Sequence, residues 1–263
     1  MEKTGSRNQI GKVLAKVPEI TLLFWMTKLL TTGMGEVFSD YLVVAINPFL
    51  AVALGGIGLI VSLVLQFKAQ RYVAWIYWLV VVMVSIFGTM VADVVHIILG
   101  VPYLVSTVVF TVALILVLFI WFKVEKTLSI HSVYTFNREL FYWATVLVTF
   151  ALGTASGDLT ASNLHLGYFM SGIVFSLLIA APAIGFRWFG LNSVFAFWFA
   201  YIMTRPAGAS FSDWLSKPAR FGGLGMGEGQ ISLVLTIIII ALVTYLQVTQ
   251  SAVQKRQTKV NAQ

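Results

Sequence analysis

The four aspartates of this chain, Asp40, Asp93, Asp158 and Asp213, each stand fifteen residues after a tryptophan: Trp25, Trp78, Trp143 and Trp198. Ten residues after each tryptophan comes a glycine (Gly35, Gly88, Gly153 and Gly208). An aromatic residue precedes each tryptophan: Phe24, Tyr77, Tyr142 and Phe197. All four aspartates lie in strongly apolar surroundings, where an ionised side chain costs on the order of 2.5–3.5 kcal/mol on insertion scales. Carboxylates kept at that cost bind protons, hold a hard cation such as Mg²⁺, Ca²⁺ or Mn²⁺, or pair with a buried base.

The four copies differ one turn before the aspartate, where Glu36, Thr89, Thr154 and Ala209 stand. Glu36 and Asp40 share a helix face at i, i+4, where like charges repel. The apolar stretches thus hold five acids against two bases, Lys28 and Arg205, so pairing alone leaves three carboxylates over. The expected cation- or proton-binding set is Asp40, Asp93, Asp158, Asp213 and Glu36, with His96 one turn beyond Asp93. The four aspartates are the candidate metal ligands, and no cofactor is expected beyond a bound hard cation. Oxygen donors nearby include Thr89, Thr154, Asn47 and Asn163. With no cysteine and three histidines, a soft-metal site is disfavoured. Arg205 and Lys28 are the expected counter-ions, and Glu36 is the first partner expected for Arg205. A competing reading has each aspartate end a helix and cap a short turn.

Elements must carry these residues. The chain is 59% hydrophobic and 10% charged, against roughly 25% charged in soluble domains, so it reads as an all-α polytopic membrane protein. Eight apolar runs suit a ~30 Å hydrocarbon core: residues 19–41, 48–67, 73–97, 102–122, 140–161, 166–187, 192–214 and 230–250. They form one membrane domain, 19–250, between tails 1–18 and 251–263. The two-helix units fall near 19–70, 71–128, 136–189 and 190–250. Because each unit has two spans, all four enter the membrane in one sense, about a pseudo-symmetry axis along the membrane normal. The four aspartates then share one depth, each about 22 Å above its tryptophan. The tryptophans read as anchors of packing or of the membrane interface, and the glycines as points of close helix approach. Pro206 is expected to break or kink the seventh helix. "GGLGMGEG" reads as a flexible loop.

The N-terminal stretch lacks the short apolar region and cleavage site of a signal peptide. Of the 17 basic residues, only Lys217 and Arg220 fall on the side opposite the termini. That bias predicts a multi-pass protein of the bacterial cytoplasmic membrane with both termini in the cytoplasm. The bases are scattered among tails and loops, which argues against nucleic acid as a partner. The partners expected are the bilayer and a small ion or solute.

The repeated Trp25, Trp78, Trp143 and Trp198 resemble a bacterial membrane-protein family, that of the domain-of-unknown-function 347 repeat. The likeness covers about residues 19 to 250. It implies four tandem two-helix units and carries no chemistry. The residues themselves lead to a transporter of a small cation, proton-coupled or for a hard divalent metal. Alternatives are a transporter of a small anionic solute anchored by Arg205, or a non-transporting scaffold or sensor. An enzyme is not expected, since no nucleophile has an obvious base and no paired-histidine motif occurs.

Overall fold

The computed structural model describes residues 15–260, with side chains through Gln250; residues 1–14 and 261–263 of the expected tails lie outside them. The described residues are helical, without strands. Eight long helices run α1 (Leu22–Ala45), α2 (Pro48–Lys68), α3 (Ala74–Asp93), α4 (Tyr103–Glu125), α5 (Phe136–Asp158), α6 (Gly167–Trp188), α7 (Ser193–Ser216) and α8 (Glu228–Val260). Four of their starts are set by side chains that satisfy free backbone N–H groups. Thr21 accepts from Phe24, Asn47 from Phe49 and Leu50, Thr135 from Arg138, and Asn192 from Val194 and Phe195. Asn47 is thereby spent as a cap.

Six helices are long and apolar enough to cross a membrane. The other two, α1 and α7, carry Lys28, Glu36 and Asp40, and Arg205 and Asp213, and fall short in apolar content. These two belong to the interior. The odd helices form a closed ring in which α1 packs on α3, α3 on α5, α5 on α7 and α7 on α1. The even helices lie outside: α2 leans on α3, α4 on α5, α6 on α7 and α8 on α1. Each unit therefore lays its outer helix on the inner helix of the next unit, and the last closes on the first. Burial divides the same way, with 67% of the apolar stretch of α5 buried against 17% of that of α4.

The repeated glycines explain the ring. A Cβ on Gly35 would come 1.8 Å from Ser85 Oγ, on Gly88 2.6 Å from Phe150 Cβ, on Gly153 2.2 Å from Arg205 Cγ, and on Gly208 1.9 Å from Thr32 Oγ1. In all four cases the neighbour stands three residues before the next helix's own glycine. One contact is thus written four times around the ring, which makes the symmetry pseudo-fourfold. Trp78, Trp143 and Trp198 are buried in the same core, and Trp25 packs partly buried against it.

Three local expectations change. Pro206 sits inside α7 without interrupting it; its ring packs towards Gly153, whose missing side chain leaves it room. After Asp93 and Asp158 the helices do not end in a capped turn but widen into single π-helical turns, Val94–Ile98 and Leu159–Asn163. The glycine-rich loop folds back as a cap on α7: Leu224, Gly225, Met226 and Gly227 donate their N–H groups to the carbonyls of Trp214, Lys217, Leu215 and Ser216. Gly222, Gly225 and Gly227 adopt left-handed backbone conformations that few other residues accept. Those carbonyls would otherwise lack partners at a helix end, so the loop is a fitted piece.

Candidate functional site: a carboxylate layer at one end of the ring

Every fourth residue of each inner helix lies along one ridge of its surface, and these ridges stack the ring into layers. The first layer is aromatic: Phe24, Tyr77, Tyr142 and Phe197, all buried, with the Tyr77 and Tyr142 hydroxyls 2.5 Å apart. Lys28, Val81, Val146 and Tyr201 follow, then Thr32, Ser85, Phe150 and Arg205, all buried. The fourth layer holds Glu36, Thr89, Thr154 and Ala209, and the fifth holds the aspartates. Asp213 is buried, whereas Asp40, Asp93 and Asp158 are half-buried.

Arg205 joins the third layer to the fourth. One terminal nitrogen donates to the Glu36 carboxylate and to the Thr89 hydroxyl, and reaches the Thr154 hydroxyl at 2.7 Å; the other donates to the Thr32 carbonyl at 3.4 Å. One guanidinium from α7 thus ties α1, α3 and α5 together. Its plane also lies over the Phe150 ring at 5.3 Å. Thr89 and Thr154, expected as ligand donors, are instead turned to Arg205.

Lys28, expected as the second counter-ion, meets no carboxylate among the described residues. Its ammonium is buried without a hydrogen-bond partner among the described residues, 4.0 Å from the Phe150 ring centre and 4.3 Å from that of Tyr201. The reason is depth: Lys28 stands two turns, about 12 Å, before Glu36 on the same helix. Aromatic faces attract cations and take the place of a carboxylate.

The aspartates separate into two kinds. Asp40 receives the ammonium of Lys217 at 2.5 Å, and Lys217 also reaches Glu228 at 2.8 Å. Burial works against the charge of Lys217, but the Asp40 and Asp213 carboxylates and its hydrogen bonds to Asp40 and Glu228 outweigh it. Its pKa is held above the ordinary lysine value. Asp93, Asp158 and Asp213 have no cationic partner among the described residues, and one oxygen of Asp213 is buried without any hydrogen bond. Among the described residues no aspartate side chain caps a helix: Asp93 and Asp158 precede the π-helical turns without a capping hydrogen bond. Carboxylate oxygens of Glu36, Asp158 and Asp213 lie within 4.8 Å of one another, a spacing at which one ion can touch all three. His96 is elsewhere engaged: its Nδ1 lies 2.7 Å from the Val101 carbonyl and its ring stacks on Tyr103.

Two features are not visible in a count of charges within the apolar stretches. Lys217 stands just beyond α7, and the folded glycine cap holds it at Asp40. Glu139, at the start of α5, is fully buried and paired with Lys16 at 2.7 Å and Gln66 at 2.8 Å. Its position just before an apolar run concealed it.

A family model described as "Repeat of Unknown Function (DUF347)" matches residues 23–72, 76–127, 141–189 and 196–252. The chain belongs to this family. Each match spans one inner and one outer helix, so the DUF347 repeat is the unit of the ring, and its odd helices carry the repeated Trp, Gly and Asp. No curated protein and no solved structure matches the chain.

Proposed function

We propose that this DUF347 protein is a membrane carrier for a small cation, a hard divalent metal exchanged against protons, held by Glu36, Asp158 and Asp213. The observation that carries the reading is the approach of those three carboxylates within 4.8 Å, two of them without a cationic partner among the described residues. The donor set is all oxygen, which favours Mg²⁺, Ca²⁺ or Mn²⁺ over softer ions. Protons compete for the same oxygens, so binding releases protons and weakens on acidification.

Buried layers support a carrier over an open channel. Arg205, Phe150, Lys28 and the aromatic layer fill the ring on one side of the carboxylates, so an ion passes only when they shift. Arg205 supports its role as a counter-ion better than that of an anchor for an anionic solute, because both terminal nitrogens are engaged within the ring. In this reading all eight helices span a bacterial cytoplasmic membrane about an axis along its normal. The excess of bases on the side of the termini supports a cytoplasmic location for both, and a single cysteine placed in either tail of this cysteine-free chain reports the side by labelling.

Flux of Mn²⁺ into proteoliposomes tests the function. Wild type is expected to transport, and Asp158→Asn and Asp213→Asn to lose most of the flux while remaining monodisperse. Wild-type flux in both variants contradicts the proposal.

A further inference from the structure

Only one repeat aspartate, Asp40, has a cationic partner among the described residues. That partner is built into the fold. The N–H of Lys217 donates to the Asp213 carbonyl at 2.8 Å, and its own carbonyl accepts from Gly225 at 2.9 Å. Gly223 passes so near that a Cβ there would lie 2.0 Å from the Lys217 oxygen. The backbone of Lys217 is therefore clamped on both sides, and its ammonium bridges α1 to α8 through Asp40 and Glu228. Asp213 lies one turn earlier on α7, with its unpartnered buried oxygen.

We propose that Lys217 is a tethered cation that fills the Asp40 quadrant of the carboxylate layer and limits the layer to one divalent ion. The inference rests on the reading of that layer as a cation site, and it names what sets the capacity. Arg205 matches Glu36, and Lys217 matches Asp40. The charge left over belongs to Asp93, Asp158 and Asp213, enough for one divalent ion and one proton. Without Lys217, Asp40 is released, and the layer gains a carboxylate with which to hold a second ion or tighten on the first.

The test is isothermal titration of MnCl₂ into the purified full chain in detergent, comparing wild type, Lys217→Met, Lys217→Arg and Lys217→Met/Asp40→Asn. Lys217→Met is expected to bind a second Mn²⁺ or to bind the first about tenfold more tightly. Lys217→Arg should behave as wild type, and adding Asp40→Asn should cancel the gain. Equal stoichiometry and affinity in wild type and Lys217→Met overturns it while leaving the cation site standing. Absence of Mn²⁺ binding in every protein overturns both. If Lys217→Met does not stay monodisperse, Asp40→Asn alone decides: Lys217 then turns to Asp213 and binding weakens, whereas unchanged affinity contradicts the proposal.

Discussion

A buried arginine is tolerated only while every charge around it is answered. Removing one member of a buried ion pair strands the other and costs about 3–5 kcal/mol, whereas replacing the pair by well-packed apolar groups is often neutral. Arg205→Met is accordingly expected to lower stability by about that amount, and Arg205→Met/Glu36→Leu to recover most of it. Unfolding in detergent by denaturant or heat measures both. A double variant as unstable as the single one would mean that Thr89 and Thr154, not Glu36, hold the arginine. The Arg205–Glu36 pair was legible from charge alone, because few bases stood in the apolar stretches. Lys28 was not: the repeat puts Val81, Val146 and Tyr201 at its level, but charge alone gave no sign that ring faces would take the place of a carboxylate. Nor was the Lys217–Asp40 pair, which depends on a loop folding back on its helix.

At the scale of elements, glycine decides how the ring closes. Phe150 Cβ lies where Gly88 would put a side chain, and Arg205 Cγ lies where Gly153 would. Gly88→Ala and Gly153→Ala therefore push inner helices apart, and each is expected to cost about 1–3 kcal/mol by overpacking. Gly56→Ala on outer helix α2 should cost less, since its nearest neighbour is the edge of the Phe87 ring at 3.3 Å. Thermal unfolding of the three variants gives the order, and a Gly56 variant as damaged as the inner pair would contradict the ring account. The eight helices and most of their limits were readable within a few residues from apolar length and the polar breaks between runs, but the last helix runs on to Val260, ten residues past its expected end, because its polar continuation gave no apolar signal. The lean of each outer helix on the following unit was not, since neighbours in sequence gave no reason to prefer the next unit over its own.

For the whole molecule, the fourfold repeat supplies a frame and the departures from it supply the chemistry. Four equivalent aspartates would repel about a common axis; Lys217 relieves one, and Arg205 with Glu36 breaks the symmetry one layer below. What remains is a lopsided group, Glu36, Asp158 and Asp213, drawn from three of the four inner helices. The repeat put one aspartate at the same position of every inner helix, but which carboxylates converge depended on partners from distant helices. The most direct test is an anomalous difference map from crystals of the full chain grown with Mn²⁺. A peak is expected within ligand distance, about 2.0–2.6 Å as for other hard divalent ions, of Glu36, Asp158 and Asp213. A map with no peak in the carboxylate layer, from crystals of protein saturated with Mn²⁺, would contradict it.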